Sequence, residues 1–255
     1  MTKPASWDKF NRNMSPGAQT KTLPDHLAKR AATGLHAGEP VAQFEIGSLK
    51  NFVYLIVDWK DRSVWIVDPQ PDLTPLRTAI KVHSLEPRGI LLTHTHHDHV
   101  GGVPALVDEF PGIRIYVGER DLHRLRREAI KNASVRPLKQ DEKITLGTSL
   151  TLQALLTPGH SAGEVCYFLA ATHGHPPYLL TGDTVFIRDC GRTDFPDGSN
   201  EEMFTSLQRI RALPPETVIL PGHHYQPECA STLERELRES PPFRCRTVAE
   251  LASLP

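Results

Sequence analysis

The sequence predicts an α/β (α+β) fold in which two β-sheets pack face to face and helices cover their outer sides. Short runs rich in β-branched and aromatic residues recur in both halves of the 255-residue chain, and turn residues separate them. Segments in which apolar residues recur at helical spacing stand between these runs in each half. Strands in runs with interspersed helices are typical of layered sheets, and no repeat of solenoid period competes with this interpretation.

The first half begins with strands and continues with alternating helices and strands. Leu76 and Ile80 lie four residues apart, which suits a surface helix, and Pro111-Gly112 ends the next predicted helix. The predicted elements are strands over 41–46, 51–57 and 63–67, a helix over 73–83, a strand over 89–93, a helix over 103–110, a strand over 113–117 and a helix over 120–130.

The second half repeats this pattern, and the first 40 residues differ from both halves. The predicted elements are strands over 149–155, 164–169 and 178–181, a helix over 201–213 and a strand over 217–220. Residues 1–40 are polar, contain several prolines and lack sustained periodicity. We therefore expect an N-terminal extension over 1–40, with a short helix near 25–32, followed by one domain over 41–255.

Composition argues against several classes of protein. Lys plus Arg is 29 and Asp plus Glu is 30, so the formal net charge of −1 leaves no basic footprint for nucleic-acid binding. No stretch approaches the roughly 18 consecutive apolar residues that span a bilayer, and the first residues lack the apolar run of a secretory signal. Four cysteines without a CxxC pair fit a reducing compartment. We expect a cytoplasmic protein that binds neither nucleic acid nor membrane.

The unusual feature of the composition is its 13 histidines, several of which gather in one loop. Directly after a predicted strand come His94, His96, His97, Asp98 and His99. Imidazole and carboxylate groups are the usual ligands of zinc, iron and related divalent ions. Taken alone, the cluster fits either a metal site or a solvated histidine-rich loop.

Three further turns place metal-competent side chains at the ends of predicted strands. His160 lies in a tight turn between two strands, Asp183 ends another strand, and His223 follows the last predicted strand. Rigid β scaffolds usually carry functional side chains on such loops. Four coincidences of this kind favour a metal site over a solvated loop.

The motifs HxHxDH, GH, GD and GH, in this order, resemble the full set of metal motifs of the metallo-β-lactamase superfamily over about 41–225. The resemblance implies a four-layer αββα sandwich of two mixed β-sheets with outer helices. It also implies two divalent metal ions, the first held by His94, His96 and His160, the second by Asp98, His99 and His223, with Asp183 bridging them. Asp68 matches an early aspartate of the family that supports the HxHxDH loop.

Such a centre would act through a metal-activated hydroxide. Two divalent ions about 3.5–4 Å apart lower the pKa of a water between them to about 7. The hydroxide would attack an electrophilic carbon, and Asp98 would be the catalytic group that orients it. Zn²⁺ is the expected metal, and iron or manganese is compatible with the same ligands.

Finer resemblance to glyoxalase II (hydroxyacylglutathione hydrolase) implies a thioester substrate. It is carried by residues 94–102 and by the Gly-His-His-Tyr segment that ends at Tyr225. Tyr225 is similar to a tyrosine that touches glutathione in that family. Arg192 would pair with a glutathione carboxylate, and Arg244 or Arg246 would add to the contact.

The alternative resemblance is to persulfide dioxygenases. It is carried by residues 187–195, and it implies one Fe²⁺ held by His94, His160 and Asp183 as a facial triad. Small glyoxalase II-like proteins also carry the Gly-Arg-Thr-Asp-Phe-Pro segment found at 191–196, so we favour the hydrolase. A β-lactamase and a non-catalytic metal-binding scaffold are less favoured.

Some candidate residues keep a structural interpretation beside the functional one. Arg192 could instead form a salt bridge to Asp194 or Asp197 that stiffens its loop. His97 and His224 stand at positions that vary in the family, and we expect them behind the ligands or exposed. The expected partner is a small glutathione-linked thioester or persulfide, and a homodimer is compatible with the sequence.

Overall fold

A computed structural model describes residues 34–255 of the chain, so the short helix predicted near 25–32 lies outside the described residues. The strands are β1 (Val41–Ile46), β2 (Asn51–Asp58), β3 (Ser63–Val67), β4 (Glu86–Leu91), β5 (Arg114–Gly118), β6 (Ser134–Leu138), β7 (Lys143–Thr145), β8 (Thr151–Leu156), β9 (Val165–Leu169), β10 (Tyr178–Gly182), β11 (Val218–Pro221) and β12 (Ser231–Thr232). The helices are α1 (Thr74–Val82), α2 (His97–Val100), α3 (Val103–Glu109), a 3₁₀ helix (Glu119–Arg124), α4 (Arg127–Ile130), α5 (Asn200–Ile210), α6 (Leu233–Glu239), α7 (Pro241–Arg244) and α8 (Val248–Ala252).

The two halves of the chain form two mixed sheets. One sheet has the order β1-β2-β3-β4-β5-β6, and the other has the order β12-β11-β10-β9-β8-β7. Pairing is antiparallel from β1 to β3 and parallel from β3 to β6, and β10 pairs in parallel with β11. The predicted α+β fold with two sheets is confirmed.

Three apolar layers explain why the strand sequences are so uniformly hydrophobic. The layer between the sheets contains Trp65 from the first sheet and Tyr167 from the second. An outer layer packs the other face of the first sheet against α1 and α3, and another packs the second sheet against α5 and α6. Every residue of β2 is therefore buried, because both of its faces are covered.

Most predicted strands lie within two residues of the observed ones, but several elements differ. The helix predicted over 120–130 is wrong, because the chain is extended at Leu125 and Arg126 and divides the segment into a 3₁₀ helix and α4. The Asp121 side chain accepts hydrogen bonds from Thr95 N and Gly163 N, and Leu125 packs into the outer core beyond the end of the 3₁₀ helix.

The strand predicted over 89–93 begins earlier, at Glu86, and ends at Leu91. Strands β6 and β7 were not predicted; they are edge strands with largely exposed side chains, so they lack the apolar runs of the inner strands. The short β12 and the helices after it were also not predicted. None of the helices between residues 34 and 255 is both long enough and apolar enough to cross a bilayer.

Candidate metal centre

Four loops meet at one end of the sandwich, where β4, β8, β10 and β11 end. Backbone hydrogen bonds join them: Val165 N donates to Thr93 O at 2.8 Å, and Gly222 N donates to Gly182 O at 2.7 Å. Phe52 N, at the start of β2, donates to Gly222 O at 2.8 Å and ties this loop to the first sheet. The loops that carry the predicted ligands are thus held to one another by main-chain contacts.

Two glycines permit this close approach. A side chain at Gly222 would strike Asp183 Oδ1 and the backbone of Gly182. A side chain at Gly191 would strike the backbone oxygen of Asp183 and the ring of His160. Both positions therefore need a residue without a Cβ if Asp183 and His160 are to keep their places.

Three histidines form the first group of candidate ligands. One ring nitrogen from each of His94, His96 and His160 lies within 4.8 Å of the others. His160 Nε2 is 3.0 Å from His96 Nδ1. Atoms bound at about 2.0–2.1 Å to one tetrahedral zinc ion lie about 3.3 Å apart, so this spacing suits a shared ion.

A second group lies beside the first and consists of Asp98, His99 and His223. His99 Nε2 is 3.2 Å from His223 Nε2, and Asp98 Oδ2 is 3.4 Å from His223 Nε2 and 3.6 Å from His99 Nε2. These spacings match those of the first group, so the second group has the geometry of another metal site.

Asp183 stands between the two groups. Its Oδ2 is 3.5 Å from His160 Nε2 and 3.4 Å from His223 Nε2, while its Oδ1 is 3.6 Å from His99 Nε2. One carboxylate thus faces ligand nitrogens of both groups, as a bridging ligand would.

Two buried polar atoms without a hydrogen-bond partner test whether these residues fit metal ions. His94 Nε2 and Asp183 Oδ1 are buried and have no hydrogen-bond partner among residues 34–255. Buried polar atoms normally find a partner, because leaving one unpaired costs free energy. Both atoms point where a cation would supply that partner, so the donor set fits a metal centre.

Hydrogen bonds on the far side of each ring fix which nitrogen is free. His160 Nδ1 donates to Arg192 O at 2.8 Å, and His223 Nδ1 donates to Leu49 O at 3.0 Å. A carbonyl oxygen only accepts, so Nδ1 carries the proton in both rings and Nε2 keeps its lone pair. Such partners behind the ligands are what orients histidines at metal sites.

Asp68 orients two more rings, as the family resemblance implied. His99 Nδ1 donates to Asp68 Oδ2 at 3.0 Å. The hydroxyl of Thr93 also donates to Asp68 Oδ2, at 2.5 Å, and its oxygen is 3.1 Å from His94 Nδ1. Because that hydroxyl proton is used, the oxygen accepts from His94 Nδ1, which leaves His94 Nε2 free. Asp68 is near His94 and His99, but its oxygens are occupied by these bonds, so we assign it as a support.

The electrostatic environment differs between His96 in the first group and His99 in the second. Burial, the nearby ring of His160 and the charge of Arg124 lower the pKa of His96 to about 4, so its imidazole is neutral. Burial alone would lower the pKa of His99, but Asp183, Asp68 and Asp98 raise it to about 9. The carboxylates around His99 therefore attract a cation, either a proton or a metal ion.

Two buried acids that sequence reasoning missed lie behind the ligands. Asp121 accepts hydrogen bonds from the backbone N–H groups of Thr95 and Gly163 and so joins two of the loops. Glu164 accepts from Asp183 N at 2.9 Å, and its burial and nearby Asp183 raise its pKa well above the ordinary value. For Glu164 the sequence offers one signal of burial, because this carboxylate directly precedes the apolar run of β9.

A cavity of about 700 Å³ opens in front of the ligands. Both predicted substrate residues line it, and the side chain of Arg192 is 65% exposed while Tyr225 is 57% exposed. Arg192 forms a two-point salt bridge to Asp194, with both bonds at 2.5 Å. Tyr225 stacks on His223 with ring centroids 4.7 Å apart.

The remaining candidates lie outside the ligand set. The side chain of His97 is 90% exposed on the metal loop. His224 is buried, with Nδ1 2.5 Å from Glu45 Oε2 and its ring 5.0 Å from that of Phe52. Arg244 and Arg246 line a different depression of the surface, beside α5.

Comparisons with known proteins agree with this architecture. A sequence model of the metallo-beta-lactamase superfamily matches residues 47–223. A curated relative named hydroxyacylglutathione hydrolase, from Enterobacter sp. (strain 638), is 37% identical over 175 residues, or 69% of this chain, and the chain spans 62% of that relative's length.

Two solved structures share the fold. ETHE1 from Myxococcus xanthus matches with a TM-score of 0.69 at 24% identity, over 84% of this chain and 92% of its own. TTHA1623, solved in a di-iron-bound form, matches with a TM-score of 0.64 at 31% identity, over 78% of this chain and 98% of its own.

Proposed function

The chain belongs to the metallo-β-lactamase superfamily, and from this premise we propose that it is a two-metal hydrolase acting on a glutathione-type thioester. The observation that carries the proposal is the pair of three-residue ligand groups with Asp183 between them. The relative named hydroxyacylglutathione hydrolase supports the substrate class. The di-iron-bound neighbour supports a centre of two ions.

Each ion would have three ligands of its own, and one further ligand would be shared by both ions. The first ion would be held by His94, His96 and His160, the second by Asp98, His99 and His223, and both by Asp183. When bound, two divalent ions supply Lewis acidity, which polarises a carbonyl and lowers the pKa of water to about 7. We expect Zn²⁺, while iron or manganese would use the same ligands.

Asp98 is the residue we assign to orient the attacking water. Asn51 Nδ2 donates to Asp98 Oδ2 at 3.1 Å and to the Asp98 carbonyl at 3.0 Å, which fixes the carboxylate. The Asp98 side chain is 15% exposed and lines the cavity, while His99 beside it is fully buried. Asp98 can therefore accept a hydrogen bond from a water at the cavity floor.

Arg192 and Tyr225 are the residues we assign to hold the glutathione part of the substrate. The Tyr225 ring covers His223 on one side and meets Phe186 edge-on, with ring centroids 5.1 Å apart, so it presents a fixed wall to the cavity. A substrate carboxylate at Arg192 would compete with Asp194 for the guanidinium. We therefore expect Arg192 to contribute only modestly to substrate binding.

Persulfide dioxygenase activity is the second candidate, and the placement of residues 187–195 favours it. Seven of these nine residues, among them Cys190 and Arg192, line the cavity, so the segment that resembles dioxygenases forms part of the proposed substrate site. In that reaction one Fe²⁺ would be held by His94, His160 and Asp183. The second group would then have no metal to bind, which is why we prefer the hydrolase.

One paired assay separates the two reactions. Purified protein is assayed for release of free thiol from S-lactoylglutathione and for O₂ uptake with glutathione persulfide, alongside its metal content. His94→Ala removes a ligand, and His97→Ala is the matched control because its ring lies on the same loop but is exposed.

The hydrolase proposal expects thiol release that is lost in His94→Ala and kept in His97→Ala. One iron per chain with O₂ uptake and no thioester cleavage would replace it with the dioxygenase. Metal binding without either activity would leave a non-catalytic scaffold.

A further inference from the structure

Glu164 is a fully buried carboxylate behind the candidate metal centre, and no ligand assignment uses it. It follows the His160 turn and directly precedes β9. Its Oε1 accepts a hydrogen bond from the backbone N–H of Asp183 at 2.9 Å and lies 3.5 Å from His94 Nδ1. Its Oε2 lies 3.3 Å from the Ser161 hydroxyl, which is also 3.1 Å from Asp121 Oδ2. Both oxygens thus serve the loops that carry the ligands.

The charges around Glu164 make its presence there costly without a cation. Its neighbours include the carboxylates of Asp183, Asp121 and Asp68. Burying an acidic group among other acids is unfavourable unless positive charge compensates or the group takes up a proton. An apolar residue would fill the same space without this cost, so the contacts to His94 and Asp183 are what a carboxyl adds.

The backbone of the Asp183 loop is shaped around this carboxyl. Gly182 has a positive φ of 49°, and a Cβ there would lie 2.5 Å from Glu164 Oε1. Glu164 therefore occupies the space that a side chain at residue 182 would take, and it holds the next residue by its N–H. This observation is independent of the contact to His94.

We propose that Glu164 is a positioning residue for the metal centre, which aligns the His94 ring from behind and anchors the backbone of Asp183. Asp68 accepts a hydrogen bond from His99 Nδ1, whereas Glu164 lies 3.5 Å from His94 Nδ1, whose proton goes to the Thr93 oxygen. The effect of Glu164 on His94 is therefore one of packing and electrostatics, and its hydrogen bond is to Asp183 N. Carboxylates behind metal-binding histidines fix the ring and increase its basicity. The inference rests on the metal-binding part of the proposed function and is independent of which substrate is cleaved.

The test measures metal affinity in the full chain without any substrate. Metal is removed from wild type, Glu164→Gln and Glu164→Ala, and Zn²⁺ affinity is measured by competition with a chromophoric chelator. Visible absorption of the Co²⁺-substituted proteins reports the geometry around the ion, and melting of the metal-free proteins reports stability. Glu236→Gln is the matched control, since Glu236 is also fully buried and accepts a backbone N–H bond, from Arg188 at 2.7 Å.

The proposal expects Zn²⁺ affinity to fall by about 10- to 100-fold in Glu164→Ala, with an altered Co²⁺ spectrum. Glu164→Gln keeps the shape and an oxygen acceptor for Asp183 N but replaces the carboxyl that faces His94, so its loss should be smaller, about tenfold. Glu236→Gln should bind Zn²⁺ as wild type does, whatever its melting temperature.

Glu164→Gln decides the matter if Glu164→Ala does not fold. Wild-type affinity and an unchanged Co²⁺ spectrum in Glu164→Gln would overturn the proposal. An equal loss of affinity in Glu236→Gln would overturn it too, because the effect would then be one of general stability. A metal-binding protein with no thioesterase activity would refute the proposed function while leaving this inference intact.

Discussion

Strand β2 joins two ends of the molecule that use buried acids in opposite ways. At its last residue, Asp58 accepts hydrogen bonds from the backbone N–H groups of Lys60, Ser149 and Leu150 and from the Ser149 hydroxyl. At its other end, Asn51 bridges to His223 beside Asp183, whose Oδ1 is buried and lacks a partner among residues 34–255.

The difference separates an acid whose hydrogen bonds all lie within the fold from one that we propose binds metal. Asp58 accepts its hydrogen bonds from uncharged backbone and hydroxyl donors of the protein itself, so it needs no bound ion as a partner. Asp183 and His94 instead each keep a buried atom without a hydrogen-bond partner among residues 34–255, and a bound cation would supply that partner. Burial alone does not distinguish the two ends, whereas the satisfaction of hydrogen bonds does.

Removal of metal by a chelator should produce the largest change in Tm, and this change should depend on the candidate metal centre and not on Asp58. A ligand present at about 1,000 times its Kd stabilises a protein by about 4 kcal/mol, which for a chain of this size is roughly 8–16 °C in Tm. We expect EDTA to lower Tm by this amount and Zn²⁺ to restore it. Calorimetry of wild type and Asp58→Asn should show the same chelation shift in both, and a chelation shift that disappears in Asp58→Asn would break the comparison.

Asp183→Asn should reduce thioesterase activity by at least about 100-fold, since loss of a ligand costs more than loss of a group behind it. The amide removes the negative charge that faces both ligand groups but keeps the shape. Thiol release is measured beside circular dichroism, with Asp58→Asn as the control. Full activity in Asp183→Asn would mean that the ligand assignment is wrong.

Asp58→Ala should lower the free energy of unfolding by about 2 kcal/mol, because the N–H groups of Ser149 and Leu150 lose their acceptor. Its Zn²⁺ affinity should stay at the wild-type value. Urea unfolding and chelator competition measure the two quantities. Weaker Zn²⁺ binding in this variant would show that the two ends are coupled through β2.

The contribution of Asp58 to stability should also depend on pH. Burial acts to raise the pKa of this carboxyl, but the hydrogen bonds from Ser149, Lys60 and Leu150 lower it on balance. A lowered folded-state pKa gives stability that is complete above the unfolded value of about 3.9 and is lost as pH falls toward the folded value. Urea unfolding of wild type and Asp58→Asn should therefore differ less at pH 3 than at pH 6. A constant difference would contradict this.

Arg192→Ala should give the smallest effect on activity, because Arg192 lies on the wall of the cavity and outside the ligand groups. Because Arg192 is exposed and paired with Asp194, we expect KM for a glutathione thioester to rise only about threefold, with little change for a small acyl thioester. Steady-state kinetics on both substrates measure this. Equal changes on both would leave Arg192 as a stiffener of its loop.

The sequence predicts the inner strands and the ligand motifs because both leave strong local patterns. Both faces of β2 are covered, so its residues form an unbroken apolar run, and the ligands cluster at strand ends where few other roles need histidine. The edge strands β6 and β7 carry no such run. Asp121 and Glu164 look like ordinary surface acids in sequence, and only the folding of distant loops buries them. The pairing of Arg192 with Asp194 was one of two alternatives that local sequence left open.

The number of metal ions bound per chain tests most directly whether the four loops together form two metal sites. Metal-free protein is reconstituted with Zn²⁺, freed of excess and analysed by plasma mass spectrometry, for wild type, His223→Ala and His97→Ala. The two-group arrangement predicts two equivalents in wild type and His97→Ala and about one in His223→Ala. A single equivalent in wild type that persists undiminished in His223→Ala would contradict it.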